Sequence, residues 1–452
     1  MKMKKIIFIL ILCSNYVTSQ TWLSLECGLN FQASILYPDS TTGKLFVGGS
    51  FGNYQNCING DGVAAWDGTS WDSTYSLHAI GADIRAITRF QQHLYVGGNA
   101  MFSNGHRIQG FTRWNGTSWD SLGTHPNPHL SIFPNHFCEY NNQLIVVGDF
   151  DSVHNYNSHI AAAWDGTIWS PMGLSSFFDS YQGWSCIVFN NELYFGGHIF
   201  DTTYYLHSFF KWSGNTWNEV DSHLTGTVNS FAIYNNELYI GGGFYYNNVY
   251  HSVLKYDGTN FYPVGSKFVG LVYSLKVIEN KLFAVGNFDT AGGVRASEIA
   301  VWDGNGWEAF SNDSFSIGTT ITDVAEYNHQ LYITGSIWSI NGDTSFHNIA
   351  MYSSPLGVME LLEKKGEVSI YPNPASNTIT LHLSSYTPIA EAHTLSITDV
   401  FGREVYKEAV RGIDTKIEVS KWSGGVYFYE VRGDGITNPA QQSVRGKFVV
   451  QK

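Results

Sequence analysis

Positive charge is scarce in this chain. Its 452 residues hold 25 Lys and Arg against 38 Asp and Glu, a formal net charge of −13. The deficit is local: residues 20–352 carry a net charge of −16, and residues 353–452 are neutral. So acidic a segment repels phosphate backbones and leaves nucleic acid out as a partner. Polyanionic glycans are excluded on the same ground, unless a local basic patch exists. The one concentration of cations is Arg85, Arg89, Arg107 and Arg113. Cysteine is also rare, with five in the chain and four beyond the N-terminal leader: Cys27, Cys57, Cys138 and Cys186. Their spacings match no zinc pattern. Helical periodicity is weak throughout, which argues against a helical domain. After the leader no apolar run is long enough to span a membrane. No Gly-rich phosphate loop and no Ser-His-Asp signature is present, and the residues call for no cofactor and no metal.

The leader itself is informative. Lys2, Lys4 and Lys5 precede an apolar run, Ile6 to Leu12, and a small-residue site at Val17-Thr18-Ser19. This is the layout of a secretory signal peptide over residues 1–19. Export permits disulfides, and four cysteines allow three pairings.

What the chain has in abundance is repetition. LFVGG at 45–49 returns as LYVGG (94–98), LIVVG (144–148), LYFGG (193–197), LYIGG (238–242), LFAVG (282–286) and LYITG (331–335). A second mark follows each of the first six, beginning with Trp66-Asp67-Gly68 and ending with Trp302-Asp303-Gly304. Another aromatic stands five residues later: Trp71, Trp119, Trp169, Trp217, Phe261 and Trp307. Asp-Gly and Asn-Gly between apolar runs are tight-turn signals, so each Asp reads as a turn residue. Asn141-Asn142, Asn190-Asn191, Asn235-Asn236 and Glu279-Asn280 mark a further turn before the Gly-bearing run. Each unit therefore reads as four antiparallel strands, A to D. A unit this small cannot bury its apolar face alone, so the copies must pack on one another. The seventh unit lacks strand D. Thr21-Trp22-Leu23-Ser24-Leu25 resembles strand D of the second unit, 118–122, and is expected to complete the seventh. On that arrangement Cys27 and Cys57 are brought near each other at the closure, while Cys138 and Cys186, on neighbouring inner strands, read as small buried residues.

The repeats resemble kelch and galactose-oxidase-like propellers, which share a strand ending in Gly-Gly and a later aromatic pair. That resemblance implies an all-β fold with a seven-bladed β-propeller over residues 20–354. A linker follows at 355–365. From 366 the marks vanish and about six short strands succeed one another, as in an immunoglobulin-like β-sandwich. Four pieces there resemble the type IX secretion system type A C-terminal sorting domain of Bacteroidetes-type bacteria. These are Tyr371-Pro372-Asn373-Pro374, then Gly402-Arg403 closing DVFGR, then Gly425 and Tyr427 within GGVY, and Lys447 with the terminal Lys452. The resemblance implies passage through the periplasm, handling by the type IX machinery, and an extracellular or outer-membrane surface location.

Blade connectivity puts the long B–C and D–A loops on one face, where recognition residues are normally carried. The B–C loops offer Tyr54, His106, His154, Tyr156, Tyr204, Tyr205, Tyr246, Tyr250 and Trp338 as candidate ligand-binding residues. Aromatic rings with His and Asn nearby suit sugar faces or protein hot spots. Catalysis has weaker support. A sialidase-like arginine cluster is missing, and paired carboxylates would have to come from inner-strand residues such as Asp83, Glu139, Asp323 or Glu326. The expectation is an exported non-catalytic binding protein for a glycan or protein ligand, with a carbohydrate-active enzyme as the alternative.

Overall fold

The computed structural model describes residues 21–52, 61–79, 81–100, 102–103, 106–107, 110–122, 132–150, 152–153, 156–173, 178–265, 268–353, 369–371, 374–382, 393–400, 402–410, 414–433 and 443–451. The leader at 1–19, the linker at 355–365, and Tyr54, Cys57, His154, Pro372, Asn373 and Lys452 lie outside these residues. The chain is all-β and divides into two compact units, Met1–Glu360 and Leu361–Lys452. Among the described residues no helix is long and apolar enough to cross a membrane.

The first unit is a succession of seven antiparallel sheets. Their first strands are Ala33–Asp39, Asp83–Phe90, Phe133–Tyr140, Phe178–Phe189, Leu224–Tyr234, Val269–Ile278 and Thr320–Tyr327. Within each sheet the strands follow chain order; the sixth adds a short strand, Val294–Arg295. The seventh takes its fourth strand from the start of the chain, with Trp22 opposite Tyr352 and Ser24 opposite Ala350. First strands pack against those of the next sheet, and Thr320–Tyr327 packs against Ala33–Asp39, so the series of contacts returns to its beginning. The apolar clusters lie between sheets. One joins Leu36 and Val47 of the first sheet to Ala325 and Tyr332 of the seventh; another joins Phe90 and Tyr95 of the second to Leu144 and Trp164 of the third.

Local chemistry explains the repeat. Between first and second strands, Gln91-Gln92, Asn141-Asn142, Asn190-Asn191, Asn235-Asn236, Glu279-Asn280 and Asn328-His329 all take positive φ at both positions, the geometry that matches strand twist in a two-residue hairpin. Between third and fourth strands, Asp67 Oδ1 accepts from the backbone N–H of Thr69 and of Ser70, each at 2.8 Å. Asp165, Asp257 and Asp303 repeat this turn, and Asn115 reproduces it with an amide oxygen. The second aromatic then reaches back to the preceding sheet. Trp119 Nε1 donates to Tyr75 O at 2.9 Å, Trp307 to Val264 O at 3.0 Å, and Trp71 to Leu25 O at 3.3 Å. Trp22, in the borrowed strand, donates to the Asp313 carboxylate at 3.0 Å instead.

The glycine that closes each LYVGG-type mark has a steric cause. Opposite it, every first strand carries a β-bulge that pushes a carbonyl inward. A Cβ at Gly98 would collide with Asp83 O, at Gly286 with Leu271 O, and at Gly335 with Thr320 O. The glycine before it, where present, receives a side chain of the next sheet: Ile84 at Gly48, Phe137 at Gly97, Val228 at Gly196.

One expectation is corrected. Cys138 and Cys186 are not merely small buried residues; they form a disulfide, with Cα atoms 5.9 Å apart, that staples the third sheet to the fourth. The alternation of the two first strands turns both Sγ atoms toward each other, which a one-strand reading cannot show. Cys27 packs on the cluster shared by the first and seventh sheets.

The second unit is a sandwich of a three-stranded and a four-stranded sheet. It holds one strand not foreseen from sequence, Glu404–Val410, which is polar on most of its length. Its core includes Leu395, Ile397, Val431, Phe448 and Val450. Tyr427 packs on Trp422 and Phe448, and its hydroxyl donates to Ser423 O at 2.9 Å. Ala375, just after the YPNP motif, donates to Val449 O at 2.8 Å, which ties that motif to the last strand. Arg403 Nε donates to Asp399 at 2.8 Å across the turn that Gly402 makes with positive φ.

Replacing Gly286 with Ala is expected to destabilise the seven-sheet unit by about 3 kcal/mol or more, since backbone cannot yield to the new Cβ. Gly306→Ala, where a Cβ meets nothing within 4 Å, serves as the control, and urea midpoints of both variants measure the difference. Loss of the disulfide in Cys138→Ala/Cys186→Ala removes a cross-link of sequence separation 48, and urea unfolding should show a loss of about 4 kcal/mol by the chain-entropy account.

Candidate functional site

The bulge that demands the glycine also aims a side chain. Seven residues stand at the bulges: Ser34, Arg85, Asn135, Trp184, Asn229, Tyr273 and Thr322. Freed from strand pairing, several reach the next sheet. Asn135 Nδ2 donates to Gly183 O and Asn229 Nδ2 to Val272 O, both at 2.9 Å; Thr322 Oγ1 donates to Ala33 O at 2.9 Å. The residue after the bulge often accepts in return. Asp323 Oδ2 takes the Leu36 N–H at 3.0 Å, and Ser230 Oγ takes the Leu275 N–H at 3.0 Å. These bonds stitch the seam between first strands.

In one sector the seam opens into a cleft of about 150 Å³. From the second sheet come Asp83, Arg85 and Asn99. The third sheet adds Asn135, Phe133 and Asp149, and the fourth adds Gln182 and Trp184. Three successive bulge residues thus meet there. Arg85 is its centre: Nε donates to Asp83 Oδ2 at 2.8 Å and Nη1 to Asn135 Oδ1 at 3.2 Å, while the guanidinium carbon lies 5.7 Å from the Trp184 ring centroid. Ser34 Oγ approaches the other Asp83 oxygen at 3.4 Å. Asn135 is buried and bonded at both ends, so the cleft floor is fixed before any ligand arrives. Asn99 and Gln182 are exposed at the rim.

The sequence-based candidates fall elsewhere. Tyr204, Tyr205 and Trp338 are exposed in the second-to-third connections, with Trp338 68 % accessible, and Tyr250 is exposed in the third strand of the fifth sheet, Val249–Tyr256. Tyr205 donates to Ser222 O and Tyr250 to Gly270 O in the next sheet, so both hydroxyls are spent on backbone carbonyls. Tyr246 packs on Phe261 in the core of the fifth sheet. His106 and Tyr156 stand in the short strands His106–Arg107 and Tyr156–Asn157. Tyr204, Tyr205, Tyr246, Tyr250 and Trp338 do not line the cleft. Three of the four concentrated arginines are engaged by carboxylates: Arg85 by Asp83, Arg89 by Asp39 through two nitrogens at 2.6 and 2.8 Å, and Arg113 by Asp120 at 3.0 Å. Asp323 is buried and engaged by Leu36 N, Ser274 Oγ at 2.8 Å and Lys276 at 3.6 Å. Glu139 is exposed, and Glu326 accepts the His329 N–H in a turn. Among the described residues no group of three or more His, Cys, Asp or Glu side chains is arranged to hold a metal ion.

Trp184 and Gln182 escaped the sequence reading because they lie on a first strand, where alternation assigns residues to core or seam but a bulge resets the count. A usable signal exists: in six of the seven sheets the bulge residue stands 13 positions before the final glycine of the second strand.

Residues 369–450 match the family described as secretion system C-terminal sorting domain. That match implies export from the cell by the type IX route. No curated protein matches the chain. Two solved structures from B. thetaiotaomicron, the extracellular domains assigned to a hybrid two component system and to a one component system, each share 12 % identity. Both align over 96 % of this chain, at TM-scores of 0.46 and 0.43. The chain spans 59 % of the length of each. A GH43B protein of the Bacteroides ovatus xyloglucan PUL shares 12 % identity over 94 % of this chain and 90 % of its own, at a TM-score of 0.28. None of these likenesses is close enough to pass an activity to this chain.

One carboxyl outside the cleft is set apart by its environment. Glu298 holds a left-handed backbone position before the third strand of the sixth sheet, and its Oε2 is buried with no hydrogen-bond partner. Burial, reinforced by Asp289, raises its pKa to about 7. A carboxyl raised in the folded state binds its proton more tightly than in the unfolded chain. Its stabilising effect is therefore complete at low pH and is lost as pH rises from about 4.5 through 7. Glu298→Gln should be more stable than the parent at pH 8 by about 1–2 kcal/mol, with the gap closing below pH 5. Thermal melts across that range measure it.

Proposed function

We propose that the chain is an exported, non-catalytic binding protein. Residues 1–19 direct it to the periplasm, residues 20–354 form a seven-bladed, kelch-like β-propeller, 355–365 are a linker, and 366–452 deliver the protein through the type IX machinery to the outer-membrane surface or beyond. Its ligand is a glycan or a surface protein, met at the end of the sheets where the first strands begin. Support for the propeller comes from the seven repeated sheets, the contact series that returns to its start and the borrowed strand at Thr21–Ser24.

The observation that carries the binding reading is the fate of the inner carboxylates. Asp323 is spent on neighbouring backbone and side chains, and Asp83 is held by Arg85. A general acid or base needs a carboxyl poised toward substrate and near its task in pKa. What remains open is a rigid cleft of mixed polar and aromatic character, which is the make-up of a recognition surface.

In a type IX-competent bacterium, the full chain should reach the surface or medium, and a chain ending at residue 365 should stay in the periplasm; fractionation and immunoblotting decide it. The exported protein should bind on a glycan array or capture a surface protein without releasing sugar products. Sustained release of reducing ends, abolished by Asp83→Asn, would overturn the binding reading in favour of a carbohydrate-active enzyme.

A further inference from the structure

We infer that the cleft between the second, third and fourth sheets is a subsite for a single neutral sugar ring, an inference that rests on the binding-protein reading. Size comes first. At about 150 Å³ the cleft is smaller than the few hundred Å³ of a drug-sized site, so it has room for one ring, with any further chain leaving toward solvent.

Charge settles which ring. The lining holds two carboxylates, Asp83 and Asp149, and one guanidinium. That guanidinium is committed to Asp83 through Nε and Nη2, both at 2.8 Å, and to Asn135. A carboxylate or phosphate on the ligand would have to compete with Asp83 for the one guanidinium among these lining residues, within a unit of net charge −16. Uronic acids, sialic acids and phosphosugars are thereby disfavoured.

The remaining groups suit hydroxyls on an apolar ring. Asn99 and Gln182 amides at the rim both donate and accept, as vicinal hydroxyls require. Trp184 and Phe133 supply flat apolar area for the C–H face of a pyranose. The Arg85 guanidinium carbon lies 5.7 Å from the Trp184 ring centroid, a cation–π contact that adds to the packing of that indole. The bulges supply the geometry: Arg85 and Trp184 point into the cleft because neither is paired in its ladder.

The test uses the full exported chain with methyl glucoside, galactoside, mannoside and xyloside, and methyl glucuronoside as the anionic counterpart. Saturation-transfer NMR and tryptophan fluorescence give affinities. At least one neutral glycoside should bind about tenfold or more tighter than the glucuronoside. Trp184→Ala and Gln182→Ala should each weaken it by about fivefold or more. Gln182 is exposed, so its loss reads binding without risk to the fold. Equal or tighter binding of the glucuronoside overturns the subsite. So does neutral binding left unchanged in both Trp184→Ala and Gln182→Ala, which would still leave an exported binder with its site elsewhere. A wild-type chain that binds none of the five probes yet captures a surface protein overturns the sugar subsite alone. One that captures neither glycan nor protein removes the wider reading as well.

Discussion

The contact on which the seven-sheet unit depends is between a glycine Cα and a backbone carbonyl. In each sheet the final glycine of the repeated second-strand mark lies against the carbonyl that a bulge drives out of the first strand, as Gly286 does against Leu271. No side chain fits there. The bulge is thus permitted by the glycine, and the glycine is needed only because of the bulge. Everything along the seam follows from this pair. The bulge supplies one extra residue that is unmatched in the ladder, and that residue turns to the neighbouring sheet. Asn135, Asn229 and Thr322 use it to bind the next backbone. The penultimate glycine gives the next sheet room to approach, so Phe137 can sit over Gly97.

That coupling explains why the fold was so legible in the sequence. Gly-Gly, the Asn-Asn turns and the Trp-Asp-Gly turns each report a local backbone demand, and local demands are written in neighbouring residues. The borrowed strand was readable for the same reason, because Trp22 performs the indole bond that Trp119 and Trp307 perform, with Asp313 in place of a carbonyl. Glu404–Val410 was missed because it is nearly all exposed, so it lacks the apolar alternation by which a strand announces itself.

The candidate site was much less legible. Loop position and aromatic content drew attention to Tyr204, Tyr205 and Tyr250, whose exposure is real but whose hydroxyls in two cases are spent on backbone carbonyls. The cleft instead comes from first strands, far apart in sequence: Asp83 and Trp184 are brought together by three sheets, and pairwise charge between Arg85 and Asp83 cannot be told from a surface ion pair without the register. Asp323 shows the converse. It had the chemistry of a catalytic carboxyl in the sequence, but its position one residue past the bulge makes it a backbone acceptor for the first sheet.

A repeated scaffold normally resists acquiring a site, since any change that helps at one copy is shared in form by six others. Here the bulge position escapes that limit. The glycine and the turn residues carry the folding information, which leaves the bulge residue to vary as Ser34, Arg85, Asn135, Trp184, Asn229, Tyr273 and Thr322 without touching either. Where the bulge residue is a short amide or hydroxyl it closes the seam, as Asn229 does by bonding Val272 O. Where it is a long cation followed two sheets later by an indole, the seam parts and a cleft forms. Asn135 between them does both jobs, tying Gly183 with its nitrogen and holding Arg85 with its oxygen. The disulfide from Cys138 to Cys186 crosses between the same two first strands, three residues past Asn135 and two past Trp184. A covalent bond is therefore added to the stitching hydrogen bond from Asn135 to Gly183 O, and together they hold the two first strands that form these walls of the cleft.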